Sequence, residues 1–234
     1  MKNMISFCLF CVCSCLLGAD TPPTVATPPA ASPNPVIGTT LTLSVLGSDI
    51  NYAESTLKYL WTTSGTQPAG VTFGAGNGTG AGKNITVIFK KSGAYNFSIK
   101  ITNPSKLSAS SSINVTVQQS LGSIDISPSA KQVNPGIAVQ YFATGEDQFG
   151  SVLAIQPSFS WSSNSGSIST SGLLVAGVSG GPYSVTATSG AVSGSATFNV
   201  NFPPTAALPA AISANPVMGT SANLSVLGAE ISMG

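Results

Sequence analysis

Residues 95–102, Tyr-Asn-Phe-Ser-Ile-Lys-Ile-Thr, decide the fold class. Tyr95, Phe97, Ile99 and Ile101 alternate with Asn96, Ser98, Lys100 and Thr102. Successive side chains of a strand point to opposite faces, so a period of two puts four large apolar groups on one face of a sheet. The pattern recurs outward in both directions. Upstream lie Leu41, Leu43 and Val45, then Leu57, Tyr59 and Trp61, then Ile85, Val87 and Phe89; downstream come Ile113, Val115 and Val117. Gly-Ala-Gly-Asn-Gly-Thr-Gly-Ala-Gly-Lys-Asn at 74–84, Lys91-Ser92-Gly93 and Asn103-Pro104-Ser105 supply turn chemistry between the runs. A second group follows: Ile124 and Ile126; Ile137, Val139 and Tyr141; Phe159 and Trp161; Ile168; Leu173 to Ala176; Tyr183, Val185 and Ala187; Ala196, Phe198 and Val200. No window of helical length carries the 3.6-residue period. Short strands with polar outer faces predict an all-β chain of two tandem antiparallel β-sandwiches. Their expected extents are 36–118 and 122–202, joined end to end at 118–122. Trp61 and Trp161 each keep phase with apolar neighbours, so each is expected as the buried pin of its sandwich.

The first group resembles the PKD and cadherin-like superfamily of extracellular sandwiches. The resemblance rests on FKKSGAYNFSIKITNPSKLSASSSINVTV at 89–117, with its Gly-x-Tyr, alternating strand, polar turn and last alternating strand. Asn103 stands where that family has an acidic turn residue, so no calcium ligand carries over there. The second group is similar to group-two bacterial immunoglobulin-like domains. It shares IDISPSAKQVNPGIAVQYFATG at 124–145, FSWSSNSGSISTSGLLVAG at 159–177 and GPYSVTATSGAVSGSATFNV at 181–200. These resemblances imply immunoglobulin-like sandwiches of secreted or surface proteins, acting as spacers, stalks or adhesive units. Neither family brings a shared catalytic residue.

Residues 22–53 and 203–234 align without a gap at an offset of 181, with 18 of 32 positions identical. A unit that long contains whole domains rather than one solenoid turn. Residues 203–234 are therefore read as the truncated start of a third sandwich, too short to close a core. The expectation is a piece of a longer array or a cut reading frame. Residues 20–35 are rich in proline and do not alternate, which reads as an extended leader.

The first nineteen residues read as a signal peptide: Lys2, an apolar run over 5–17, then Gly18 and Ala19 before Asp20. Cys8, Cys11, Cys13 and Cys15 all lie inside it, so the exported chain would carry no cysteine. Lipoprotein cleavage before Cys15 is disfavoured, because Leu16 and Leu17 continue the apolar run. The expected location is extracellular or on the cell surface.

Composition removes several functions. Of 234 residues only 6% are charged, against roughly 25% in an average soluble domain. The chain holds 8 Lys, no Arg and no His. It therefore lacks a His-based triad, a His metal ligand and a bidentate Arg clamp. A net charge of +1 gives no drive toward nucleic acid.

The remaining candidates are few. Glu146-Asp147 is the only adjacent acid pair and reads as a solvated loop. Asp49 and Glu54 flank another loop and would converge only if it folded back. The glycines at 74–82 lack the Gly-Lys-Ser/Thr ending of a phosphate loop and read as a flexible connection. Lys83, Lys90 and Lys91 make a small positive spot that discourages edge pairing. Sequons at Asn77, Asn84, Asn96, Asn114 and Asn223 follow from the Ser/Thr content. Tyr52, Phe73, Phe149 and Phe202 are loop aromatics that could stack on a sugar. No catalytic, cofactor-binding or metal-binding residue is assigned, and no cofactor is expected. The expectation is a non-enzymatic spacer of an exported bacterial surface protein, built of monomeric modules in a longer array. The alternative is an adhesion module whose partner is a glycan or another surface protein.

Overall fold

The structure, a computed structural model, describes residues 19–206, 211–212, 224–225 and 228–229. The signal-peptide reading of 1–19 and its cysteines lie almost wholly outside the described residues, as does the sequon at Asn223. The chain is all-β and divides into two compact units that part between Thr116 and Val117.

The first unit is a sandwich of seven strands: β1 (Thr24–Ser32), β2 (Thr40–Ser48), β3 (Lys58–Thr63), β4 (Thr72–Phe73), β5 (Asn84–Ile88), β6 (Gly93–Thr102) and β7 (Ser108–Val117). One sheet has the order β1-β2-β5-β4 and the other β3-β6-β7. The alternation that defined the strands faces inward. Leu43, Val87, Tyr59, Tyr95, Phe97, Ile99 and Ile101 are fully buried, and Trp61 is 1% exposed. Phe89, Tyr95 and Phe97 form an aromatic cluster with centroids 4.8 to 6.4 Å apart.

Residues 24–32 are a strand, not a leader. β1 pairs antiparallel with β2, from Thr24 opposite Ser48 to Ser32 opposite Thr42. The register slips between Val25 and Thr27 and again between Thr27 and Ala30, across Pro28 and Pro29. Proline has no N–H for the ladder and is confined to edges and irregularities, which is where β1 lies. β1 shows no alternation because an edge strand buries little; its side chains are exposed or half-buried throughout. After β1 the chain passes to the other sheet. Val36, fully buried, donates its N–H to the Thr116 carbonyl at 2.8 Å. Asn34 donates from Nδ2 to the Asn114 carbonyl and accepts the Thr116 N–H. This segment runs in the same direction as β7.

The second unit holds β8 (Leu121–Ser127), β9 (Ala130–Val133), β10 (Ala138–Gln140), β11 (Phe142–Asp147), β12 (Ser160–Ser163), β13 (Ser167–Ile168), β14 (Leu173–Val175), β15 (Gly180–Ser189) and β16 (Val192–Val200). β8 begins inside the expected joint, so the connection is shorter than 118–122. One sheet reads β12-β15-β16-β9. Opposite it lie β10-β14-β13 and β11-β8; β10 and β11 are halves of one run interrupted at Tyr141. Pairing is antiparallel except for β9, which runs parallel to β16 from Ala130 opposite Thr197 to Val133 opposite Val200. The core gathers Ile126, Tyr141, Leu174, Val185, Ala187, Phe198 and Val200.

Trp161 is not the buried pin of this sandwich. It is half-buried and packs against the core from its margin, while Tyr141 is fully buried. β12 is four residues long and lies at the sheet edge, so one flank of the indole has no neighbouring strand.

Short strands continue into the repeat: β17 (Thr205–Ala206), β18 (Ala211–Ile212), β19 (Leu224–Ser225) and β20 (Gly228–Ala229). β17 pairs with β20 and β18 with β19. Shifted by 181 residues, these are pairs of β1 with β2: Thr205 opposite Ala229 repeats Thr24 opposite Ser48, and Ile212 opposite Leu224 repeats Ala31 opposite Leu43. The second copy thus keeps the strand pairing of the first.

Candidate functional site

The acidic candidates are tied down by hydrogen bonds, and only Asp147 is buried. Asp49 Oδ1 accepts the N–H groups of Asn51 and Tyr52, and Oδ2 accepts Asn103 Nδ2 at 3.0 Å. Burial alone would raise the Asp49 pKa, but these hydrogen bonds leave it below the usual value. Asn103, 4% exposed, also donates to the Thr21 carbonyl and accepts the Leu107 N–H. Glu54 faces a different group. Its Oε1 accepts the Tyr59 hydroxyl at 2.8 Å and its Oε2 meets Lys83 Nζ at 3.0 Å. These partners, Tyr59 first, lower the Glu54 pKa. Burial, with the carboxylate beside it, pushes the Tyr59 phenol up to about 12. Asp49 and Glu54 therefore do not share a site, and Lys83 belongs to an ion pair rather than a positive spot.

Glu146-Asp147 is not a solvated loop. Asp147 ends β11 and is 2% exposed. Its Oδ1 accepts the Phe149 and Ser151 N–H groups, and its Oδ2 accepts Gln119 Nε2. Burial opposes ionisation, but the Ser151 N–H, Gln119 and the Phe149 N–H outweigh it and lower the pKa. An acid followed two residues later by a backbone donor is an Asx turn, a signal present in Asp147-Gln148-Phe149. Among the described residues, no group of three or more acids converges where a metal ion could sit.

The loop aromatics are partly covered. Phe73 meets the buried Phe97 edge-on at 5.9 Å, which ties it to the core. The Tyr52 hydroxyl donates to Asp20 Oδ2 and lies 2.6 Å from Ser105 Oγ. Phe149 and Phe202 are half-buried. The exposed aromatic is instead Phe142, 63% accessible, on the outer face of β11. Leu173 and Val175 of β14 are exposed on that face too. Phe142 was legible as the residue after Tyr141, out of phase with the core.

The two tryptophans occupy equivalent ladder positions with different surroundings. In β3 and β6, Ser64 N–H bonds to the Asn96 carbonyl three residues after Trp61. In β12 and β15, Asn164 N–H bonds to the Ser184 carbonyl three residues after Trp161. In an antiparallel ladder bonded pairs alternate with non-bonded ones, so both tryptophans direct N–H and C=O away from the sheet. At β3 these groups are taken. Asn77 Oδ1 accepts the Trp61 N–H at 2.8 Å and Asn77 Nδ2 donates to its carbonyl at 2.9 Å. Gly78 N–H bonds to the Tyr59 carbonyl and Tyr59 N–H to the Thr79 carbonyl. The indole N–H donates to the Gly82 carbonyl at 2.9 Å. The glycine-rich segment at 74–84 is therefore a packed cover on the β3 edge rather than a flexible connection. Its glycines allow the approach: a Cβ at Gly82 would collide with the Tyr59 carbonyl. The Asn77 sequon sits within this cover, its side chain engaged with Trp61. At β12, no described residue bonds the outward N–H or C=O of Trp161.

Shallow clefts flank β9; the larger, about 490 Å³, lies between β9 and β10 and is lined by Gln132, Asn134, Ile137 and Val139 among others. No described helix is long and apolar enough to cross a membrane, a statement that leaves β-barrels aside.

No family model matches the sequence, and no curated protein matches it. Solved structures do show similarity. Drosophila N-cadherin EC1-4 matches at TM-score 0.49 and 16% identity, covering 77% of this chain and 49% of that one. This chain thus spans about half the length of that structure. The D00-D0 domain of intimin matches at TM-score 0.40 and 15% identity, covering 76% and 98%. The S-layer protein rSbsC(31-844) matches at TM-score 0.33 and 16% identity, covering 81% and 30%. These are likenesses of chain trace between β-sandwich proteins.

Proposed function

We propose that this chain is a non-enzymatic spacer of an exported bacterial surface protein, a PKD-type sandwich followed by a group-two immunoglobulin-like one, exported by the signal peptide at 1–19. One observation carries the reading. In each unit the first segment to enter the second sheet runs parallel to the last strand and is hydrogen-bonded to it. In the first unit this is Asn34 to Val36 beside β7; in the second it is β9 beside β16. Tension applied through the chain pulls such a pair in opposite directions along its length. The bonds are then sheared together instead of being peeled one at a time. That is the arrangement a load-bearing module requires. Single-molecule stretching of the chain by its ends tests it. Each unit should rupture in one cooperative event, and Asn34→Ala should lower the force for the first unit alone. Extension without rupture peaks would end the reading.

A second reading, adhesion, is favoured by Phe142, Leu173 and Val175 on one outer sheet face. Glycan-array binding that is lost in Phe142→Ala would support it over the spacer.

A further inference from the structure

We propose that the β12 edge of the second sandwich pairs with β12 of a second copy of this chain, joining two sheets across a two-fold axis. The argument begins with the comparison of the two tryptophan edges. At β3 the outward backbone groups of Tyr59 and Trp61 have partners in residues 77–79, and the indole is covered. At β12 the outward groups belong to Trp161 and Ser163, and no described residue bonds them. Trp161 accordingly stays half-buried where Trp61 is 1% exposed. One edge thus carries an unfilled row of hydrogen-bonding groups beside a partly exposed indole, and the other shows in the same chain that such groups can be filled, there by the Asn77 amide and the backbone of Gly78 and Thr79.

The occupant is a second copy because nothing at the edge opposes it. Ser160-Trp161-Ser162-Ser163 contains no charge and no proline, the usual devices against edge-to-edge pairing. Three other edges have such devices: prolines in β1, Lys131 in β9, and the Asn34–Val36 segment along β7; the edge strands β4, β10 and β13 lack charge and proline too, but are only two or three residues long. The chain as a whole has a net charge of +1, too small to keep two copies apart. An antiparallel pairing centred on Ser162 is self-complementary. Trp161 then faces Ser163 of the second copy, and each donates its N–H to the other's carbonyl. Symmetry repeats the exchange, so four groups on each edge are satisfied. Ser162, exposed on the outer face, lies opposite its own counterpart. That pair is of the non-bonded kind, with Cα atoms about 4.5 Å apart.

Sedimentation of the full chain over a wide concentration range tests the pairing. A dimer should appear as concentration rises. Ser162→Lys, which sets two ammonium groups face to face, should raise the dissociation constant at least tenfold while the circular dichroism spectrum stays unchanged. An independent arm uses Ser162→Cys in a chain whose Cys8, Cys11, Cys13 and Cys15 are changed to Ser. Mild oxidation should link it into a dimer, because the Cα separation suits a disulfide. Ser195→Cys, on the interior strand β16, should stay monomeric under the same conditions. A chain that sediments as a monomer throughout, or equal cross-linking at positions 162 and 195, overturns the proposal.

Discussion

Two buried tyrosines should respond to the loss of the same atom with opposite signs. Tyr59 and Tyr141 are both fully buried, each at the centre of its sandwich. The Tyr59 hydroxyl accepts the Gly47 N–H at 3.1 Å and donates to the Glu54 carboxylate at 2.8 Å. Among the described residues the Tyr141 hydroxyl has no hydrogen-bond partner. Tyr59→Phe removes a bond worth ~1 kcal/mol and a charge-assisted one worth ~1.5–3 kcal/mol, and leaves the Gly47 N–H buried without an acceptor. The first unit should lose about 2–4 kcal/mol. Tyr141→Phe removes only a polar atom whose unpaired burial costs about 1–3 kcal/mol, at the expense of a void the size of one oxygen. The second unit should gain about 1 kcal/mol. For a domain of this size 1 kcal/mol moves the melting temperature by roughly 4–8 °C. Thermal melts with hydrogen–deuterium exchange on peptides from 40–117 and 121–200 assign each change to its unit. A Tyr141→Phe chain that melts lower than wild type, with faster exchange in the second unit, would refute the reasoning, since the hydroxyl would then have a partner.

Other substitutions separate the two tryptophan edges and the buried acid. Trp61→Ala should cost ~3–5 kcal/mol, and Trp161→Ala less, because the second indole is already partly exposed; urea titration read by circular dichroism compares them. Gly82→Ala drives a Cβ into the Tyr59 carbonyl and should lift the cover, seen as a red shift of Trp61 emission and a loss of ~1–3 kcal/mol. The folded-state pKa of Asp147 is lowered, so its stabilisation is present above the unfolded carboxylate value, near 4, and is lost as pH falls through the folded value. Acid melts from pH 6 to pH 2 should therefore show a decline in the second unit that is shallower in Asp147→Asn.

Much of the fold was legible because burial writes a period of two into a strand covered on one face. Tyr95 to Thr102 became β6 with its alternation intact. The pattern fades where that physics weakens. β1 buries too little to alternate, and its prolines read as a linker until an edge is available to hold them. Asp147 reads as solvated because the local Asx-turn signal does not report burial, which depends on Gln119, 28 residues away in the chain, meeting its other oxygen. The candidate edge was the least legible part, since Trp61 and Trp161 carry nearly the same local signal.

The order of residues alone determined the all-β class, the strands of both cores and the 181-residue repeat, because each follows from local alternation or from identity between segments. Only the tertiary structure decided which tryptophan is covered. Whether an edge is capped depends on a segment sixteen residues away, Asn77 for Trp61, meeting the outward groups of a strand. Hydrogen bonds between distant backbone atoms depend on position in space, and chain order alone does not specify them.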